Sequence, residues 1–196
     1  MWIVAALAAD FDPTAATTLY RLKRGDEETW CRLISCYQDR MLNYLYHLEG
    51  DRDRALELTQ EVFFRAWKGI GGFKEAEAFL PWLYSIARNT QIEGHRRKLL
   101  PSFSLEEASE SGYDPTSPYP DQAEEAERAE EAERVQRAIA SLAPDYREAV
   151  VLRFLEELSY EDIARVQGVA VGTAKSRVFR GKEMLALALR ERDAAS

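Results

Sequence analysis

Apolar residues along this chain recur at intervals of three and four positions, and no stretch shows the alternation typical of a β-strand. The clearest example is residues 26–48, where the spacing predicts one long amphipathic helix that ends at Gly50. The same spacing predicts two further helices, over 52–68 and 81–98. Three such helices can bury a common core, so we predict a first helical domain over residues 18–98.

A second set of helices follows an acidic segment. Apolar spacing predicts four of them, over 134–142, 145–155, 159–166 and 171–192. We interpret these helices as a second small domain, residues 134–192. Residues 99–133 are rich in Ser, Pro and Glu near their start and in Ala and Glu near their end, which indicates a flexible linker. We therefore predict an all-α fold of two small helical domains that move independently about a flexible acidic linker.

The second domain contains the pattern of a helix-turn-helix. Ser159 and Asp162 have the spacing of a capping box at the start of one helix, and Gly168 suits the turn that ends it. The next helix has an apolar stripe at spacings of four and seven, formed by Ala174, Val178 and Leu185. Its other faces carry Thr173, Lys175, Ser176, Arg177, Arg180 and Lys182. Such side chains contact phosphates and base edges from a major groove, although a solvated surface helix has a similar pattern.

The net charge of −8 argues against tight binding to naked DNA. The acidity lies in residues 99–134, which hold 11 acidic and 2 basic residues, and the chain on either side is nearly neutral. Because neutralisation of phosphates supplies most non-specific DNA affinity, we expect this chain to need a helper that holds it on DNA.

The first domain carries two surface patterns of its own. Helix 52–68 presents a polar face with one aromatic residue, which either contacts a partner or is simply solvated: Glu57, Gln60, Glu61, Phe64 and Arg65. In helix 81–98 and just before it, aromatic residues precede Arg88, Asn89 and a basic run at 95–98. This mixture suits single-stranded DNA, where rings stack on bases and cations follow the backbone. Phe79 and Trp82 also suit a core.

Three segments occur in order and together resemble the extracytoplasmic-function (ECF) class of bacterial sigma factors: ELTQEVFFRAW (57–67), PWLYSIARNTQIEGHRR (81–97) and VAVGTAKSRVFRGKEML (169–185). The resemblance covers about residues 19–187. It implies a non-enzymatic protein that binds core RNA polymerase, recognises the −10 and −35 promoter elements and helps to open the duplex. It also implies an anti-sigma factor as a further partner.

The resemblance assigns three sets of residues. The set for core polymerase, which would meet the coiled-coil of its largest subunit while the flap provides another contact, is Glu57, Gln60, Glu61 and Phe64. The set for −10 DNA, in which Phe73, Ile86 and Asn89 would hold a flipped base, is Phe73, Lys74, Ile86, Arg88, Asn89, Arg96 and Arg97. The set for the −35 duplex is Thr173, Lys175, Ser176, Arg177, Phe179 and Arg180. Gly181 stands where the family commonly has Ala, which lowers helix propensity by ~1 kcal/mol.

Two other classes of function remain open at this point. A stand-alone helix-turn-helix regulator with an N-terminal sensor domain would bind its operator tightly without polymerase, usually as a symmetric dimer. An enzyme is disfavoured, because the sequence has no Gly-rich phosphate loop, no nucleophile motif and no metal-ligand cluster. We expect no cofactor.

The cysteines and the N-terminus add little to these alternatives. Cys31 and Cys36 point in different directions from one predicted helix, so we expect free thiols, and their spacing from His47 and His95 suggests no metal site. The apolar start of the extension at residues 1–17 is too short to span a bilayer and lacks the basic residues of a secretory signal. Since no other stretch approaches a membrane span, we expect a cytoplasmic protein.

Overall fold

The computed structural model describes residues 11–74, 79–99 and 122–193. Within these ranges the chain forms eight α-helices and no β-strand. In chain order they are α1 (Ala16–Lys23), α2 (Glu27–Glu49), α3 (Arg52–Gly69), α4 (Phe79–Leu99), α5 (Gln122–Ala140), α6 (Pro144–Val150), α7 (Tyr160–Gln167) and α8 (Val171–Asp193). Helix α6 continues into a π-helical turn, Val151–Leu155. The all-α fold predicted from the apolar spacing is confirmed.

Local signals in the sequence determine where the first-domain helices begin and end. The carboxylate of Asp26 caps α2 by accepting from the amide of Thr29 at 3.0 Å, and Asp51 caps α3 in the same way through Arg54. Gly50 ends α2 in the left-handed conformation, with φ at +76°. The core between α2, α3 and α4 is built from large apolar side chains that are almost fully buried: Leu33, Met41, Leu45, Val62 and Leu83.

Helix α1 is an element that the sequence pattern did not predict. Residues 16 and 17 of the predicted N-terminal extension belong to it. It packs on the first domain through Leu22, which is 1% exposed and whose carbonyl accepts from the indole of Trp30 at 3.0 Å.

The helix-turn-helix geometry of the second domain follows from the predicted signals. The hydroxyl of Ser159 accepts from the amide of Asp162 at 3.1 Å, which caps α7. Gly168 ends α7 with φ at +64°, and α8 begins three residues later. Ala174 and Val178 are buried, so the apolar stripe of α8 faces the domain core.

The two domains pack against each other, although the sequence predicted independent motion. Helix α7 of the second domain lies along α4 of the first, and α2 contacts both α5 and α6. Buried apolar residues of both domains belong to one continuous core cluster, and charged side chains of one domain have partners on the other, as described below. Of the linker predicted over 99–133, residues 122–133 are the first part of α5 and residues 100–121 lie outside the described residues. In the described part of the chain, no helix is long and apolar enough to cross a membrane.

Candidate functional site

An exposed apolar groove runs between α2 and α3 and has a volume of about 810 Å³. One wall of it is the α3 face, which we define as Leu56, Gln60, Phe64 and Trp67; these side chains follow one another by three or four residues and are all exposed. Trp30, Ile34 and Leu42 of α2 contribute to the lining. A groove with this much apolar surface is typical of a site for a partner helix.

Aromatic side chains dominate the α3 face. The rings of Phe64 and Trp67 stack with their centroids 6.5 Å apart, and the ammonium of Lys68 lies 4.0 Å from the Phe64 centroid. Trp67 is 53% exposed, so its ring belongs to this outer face and not to the core. The sequence did carry a signal for this second face, because positions 56, 60, 64 and 67 have helical spacing that the core stripe does not use.

The acidic members of the predicted polymerase set have partners within α3. Glu57 accepts from the guanidinium of Arg54 at 2.8 Å, and Glu61 accepts from Arg65 at 2.7 Å. The carboxylate is the more exposed partner in both pairs, and ion pairs near the surface contribute little stability. The side chain of Gln60 makes no hydrogen bond with any residue that the structure describes, and it lines the groove. Gln60 and Phe64 are therefore the members of the set that are most available to a partner.

The residues predicted to hold a flipped base lie near one face of the first domain but do not form one pocket. Phe73 is only 6% exposed and packs edge-on against Phe79 and more closely against Trp82, with ring centroids 4.9 Å apart in the second pair. A pocket of about 320 Å³ beside it is lined by Gly72, Phe73, Lys74, Pro81, Trp82, Ser85 and Arg165. Ile86 and Asn89 do not line this pocket; they follow Trp82 along α4 at helical spacing.

The basic residues of the predicted −10 set differ in their exposure and in their ion pairing. Lys74 and Arg96 are exposed. The guanidinium of Arg88 donates to the carboxylate of Glu148, 3.1 Å away, and its side chain is 23% exposed. The side chain of Arg97 lies outside the described residues. In this conformation the guanidinium of Arg88 is therefore held in an ion pair with the second domain.

Helix α8 presents most of the predicted −35 set to solvent. Its exposed side chains from this set are Thr173, Lys175, Ser176, Phe179 and Arg180, and the ring of Phe179 is 64% exposed. Arg177 differs because it forms an ion pair with Asp145 at 2.5 Å and donates to Gln167 at 3.1 Å. This helix is anchored from behind by Gly181, where a Cβ would meet Val150 Cγ2 at 2.6 Å.

Two carboxylates of the second domain are buried against the first domain. Glu148 is 5% exposed and accepts from the hydroxyl of Tyr44 at 2.8 Å and from Arg88. Glu156 is 6% exposed and accepts from the Tyr84 hydroxyl and from Arg40, the latter at 3.1 Å. We call these two side chains the interdomain carboxylates. The sequence analysis missed both, because a glutamate in a helix pattern normally indicates exposed surface.

The tyrosines that face the interdomain carboxylates are held in their neutral form. Burial raises the pKa of Tyr44 well above its ordinary value, and the nearby carboxylate of Glu148 raises it further. Burial and then Glu156 raise the pKa of Tyr84 in the same way. Both hydroxyls therefore stay protonated and donate to the carboxylates. In the part of the chain that the structure describes, no cluster of His, Cys, Asp and Glu has the geometry of a metal site.

Comparison with known families decides between the alternatives left open by the sequence. Residues 33–99 match the model of sigma-70 region 2, and residues 132–185 match that of sigma-70 region 4. The ECF RNA polymerase sigma factor SigW of Bacillus subtilis is 30% identical over 180 residues, which are 87% of this chain and 94% of the relative. The RNA polymerase sigma-H factor of Pseudomonas aeruginosa is 35% identical over 174 residues, covering 86% and 90%. The chain belongs to the ECF RNA polymerase sigma factors.

Two solved structures share the fold of this ECF sigma factor. CnrH, solved in complex with the cytosolic domain of CnrY, has a TM-score of 0.68 at 20% identity and covers 93% of this chain and 99% of its own. The sigma factor RpoE of Bartonella quintana, solved in complex with the anti-sigma factor NepR, has a TM-score of 0.63 at 24% identity and covers 83% and 98%. At these identities the likeness establishes the fold alone.

Membership in the family settles the general function. This ECF sigma factor directs RNA polymerase to promoters, and the alternative of a stand-alone regulator is not favoured. Sigma factors are non-catalytic initiation factors. Region 2 covers most of α2 and all of α3 and α4, and region 4 covers the end of α5, all of α6 and α7 and most of α8.

Proposed function

We propose that three surfaces divide the work of initiation in this sigma factor. The α3 face, with the neighbouring Glu57 and Glu61, binds the coiled-coil of the largest polymerase subunit, and the second domain meets the flap. The surface around Lys74, Trp82 and the exposed side of α4 binds the −10 element and holds its strands apart. Helix α8 enters the major groove of the −35 element.

The observation that carries this proposal is the contrast between the two sides of α8. One side is buried through Ala174, Val178 and Gly181, which fixes the helix on its domain. The opposite side leaves Lys175, Ser176, Phe179 and Arg180 in solvent. A rigid helix that presents cations, a hydroxyl and an aromatic ring together is suited to base edges and phosphates.

Aromatic side chains on the first domain support its assigned role. Trp82 lines an open pocket together with Lys74, so a ring and a cation stand side by side where an unpaired base would stack. The exposed Phe64 and Trp67 supply the kind of aromatic anchor that dominates protein interfaces. The predicted base pocket of Phe73, Ile86 and Asn89 would need rearrangement, because Phe73 is buried here.

We further propose that this chain has no catalytic activity of its own and that it works in the cytoplasm, where polymerase meets the chromosome. We also propose an anti-sigma factor as its regulator. Support comes from two proteins of the same fold, which were solved in complex with CnrY and with the anti-sigma factor NepR.

The test is reconstitution of initiation from purified parts. Core polymerase alone, the chain alone and the two together are given a library of random promoter sequences, and the transcripts and the bound DNA are sequenced. We expect transcripts that share two sequence elements only when both proteins are present. Tight and specific DNA binding by the chain alone, with no change in the transcripts, would instead favour a stand-alone regulator.

A further inference from the structure

Helix α1 is tied to the rest of the first domain at two consecutive residues near its end. The carbonyl of Leu22 accepts from the indole nitrogen of Trp30 at 3.0 Å, and the side chain of Leu22 is buried. The ammonium of the next residue, Lys23, donates to the carbonyl of Phe73 at 2.6 Å. Because the backbone beside it is anchored on α2, Lys23 links a fixed helix to the chain that follows α3.

The chain that Lys23 reaches is conformationally free in its local sequence. We call residues 70–74 the turn segment; it contains two consecutive glycines, and a Cβ on either would meet nothing within 4 Å. Consecutive glycines allow the backbone many conformations. A single 3₁₀ turn, Ile70–Gly72, is closed by the amide of Phe73, which donates to the carbonyl of Ile70 at 3.1 Å. Among the residues that the structure describes, only Lys23 donates a hydrogen bond to the carbonyl of Phe73.

This hydrogen bond fixes the plane of the peptide between Phe73 and Lys74. In a planar trans peptide, the carbonyl and the N–H point in opposite directions. Because Lys23 holds the carbonyl of Phe73, the amide of Lys74 is turned away from α1. The side chain of Lys74 is exposed and lines the pocket beside Trp82. The orientation of Lys74 therefore depends on Lys23.

We propose that Lys23 is a positioning residue for recognition of the −10 element. Its hydrogen bond holds the turn segment against α1 and so presents Lys74 and the pocket beside Trp82 to the unpaired strand in one orientation. Lys23 acts through the backbone and does not itself contact the strand. This inference rests on the proposed function of the surface around Lys74 and Trp82. Without the hydrogen bond, DNA has to order the turn segment at a cost in conformational entropy, which weakens binding.

The first test asks whether Lys23 holds the turn segment in the free chain. Lys23→Met removes the donor and keeps an unbranched apolar side chain. The control is Arg24→Met, which removes the same charge from the adjacent residue, whose guanidinium lies over the ring of Tyr20 within α1. Amide hydrogen exchange is followed by mass spectrometry on the peptide that contains residues 70–74. We expect this peptide to exchange faster in Lys23→Met than in the wild type and the control.

The second test measures DNA binding by the reconstituted holoenzyme. The probe is a labelled single-stranded oligonucleotide with the non-template −10 sequence that the wild-type holoenzyme selects from random promoters, together with variants in which each base is replaced. We expect Lys23→Met to raise the Kd of the selected sequence by about three- to tenfold, the size of one partly exposed hydrogen bond, and to relax base preference. Affinity for core polymerase should stay unchanged, because Lys23 does not line the groove between α2 and α3.

A double-mutant cycle separates positioning from direct contact. Lys74→Ala removes the side chain that Lys23 is proposed to orient. If Lys23 acts through the turn segment, Lys23→Met should weaken DNA binding less in the Lys74→Ala background than in the wild type. A phosphate contact made by Lys23 itself would instead give the same loss in both backgrounds and lower the salt slope by about one.

Four results would overturn the proposal. They are equal exchange of residues 70–74 in Lys23→Met and Arg24→Met, equal DNA affinity of these two variants, additive effects in the double-mutant cycle, and a loss of core affinity as large as the loss of DNA affinity. The last would indicate general damage to the first domain. If the holoenzyme selected no −10 sequence, the proposed function would fail, whereas the exchange comparison would still decide whether Lys23 holds the turn segment.

Discussion

Gly181 of α8 lies so close to α6 that a Cβ at this position would stand 2.6 Å from Val150 Cγ2 and 3.0 Å from the carbonyl oxygen of Tyr146. The sequence alone suggested that this glycine only weakens the helix. The structure gives it a packing role, because the two helices approach each other at the point where the side chain is missing. The exposed side of α8 is held in place from behind by this contact.

We therefore expect Gly181→Ala to destabilise the second domain. The gain in helix propensity of ~1 kcal/mol is outweighed by overpacking against Val150, which typically costs about 1–3 kcal/mol. The free energy of unfolding, measured with denaturant, should fall by about 1 kcal/mol on balance. Gly172→Ala is the control, because a Cβ there meets nothing within 4 Å. Equal stabilisation by both substitutions would show that the close approach is absent.

Polymerase binding should depend on the aromatic part of the α3 face more than on its acids. Phe64→Ala should weaken binding to core polymerase by about 1–3 kcal/mol, as expected for an exposed aromatic anchor, and Gln60→Ala should weaken it less. Glu61→Lys is a poor probe, because it would place a second cation beside Arg65. Phe179→Ala removes a ring from α8 that is even more exposed and should leave core affinity unchanged. An unchanged affinity in Phe64→Ala would remove α3 from the interface.

Substitutions of Arg180 and of Arg177 should have different effects on recognition of the −35 element. Arg180 is exposed and unpaired among the described residues, so Arg180→Ala should relax preference at one or two adjacent −35 positions, by about 1–3 kcal/mol for a lost bidentate guanine contact. Arg177 is paired with Asp145, and a DNA phosphate has to displace that carboxylate, so its replacement should weaken binding similarly for all sequences and lower the salt slope by at most about one. Holoenzyme binding to −35 variants at two salt concentrations measures both effects. Altered base preference in Arg177→Ala alone would reverse this division.

The buried tyrosines predict how the fold responds to high pH. Because the folded pKa of Tyr44 and Tyr84 is raised, their contribution to stability is complete below the unfolded value of about 10 and is lost as pH rises through the folded pKa. In a titration followed by phenolate absorbance, these two of the nine tyrosines should ionise late, as the domains separate. Tyr44→Phe/Tyr84→Phe should remove amplitude from the late phase only. If the early phase lost amplitude instead, both hydroxyls would be exposed to water in the folded protein.

The sequence correctly predicted those features that depend on residues close together along the chain. Capping of α7 by Ser159 and the left-handed turn at Gly168 depend on neighbours within a few residues, and both were predicted correctly. The outer face of α8 followed from helical spacing alone. The interdomain contact could not be predicted, because Arg40 and Glu156 are 116 residues apart and nothing in either local pattern indicates burial.

The same limit applies to the aromatic residues of the first domain. Trp67 is large and apolar, yet its ring lies in the groove between α2 and α3 and not in the core. Phe73 is predicted to hold a flipped base, and in the chain without DNA its ring belongs to an aromatic cluster with Phe79 and Trp82. Which side of a helix an aromatic ring occupies depends on the shape of its neighbours rather than on spacing. The site residues themselves remain predictions.

In the ion pair between Arg88 and Glu148, a carboxylate of the protein takes the place that a DNA phosphate would have beside Arg88. A carboxylate and a phosphate both offer a guanidinium two anionic oxygens, so Glu148 stands in for the DNA backbone at this position. An arbitrary polyanion such as transfer RNA would exchange one anion for another at Arg88 and gain almost nothing there. Only a strand that also fills the neighbouring pocket and stacks on its ring has a net advantage over the internal carboxylate. Discrimination against the abundant polyanions of the cell would thus be built into the resting protein, before any promoter is met.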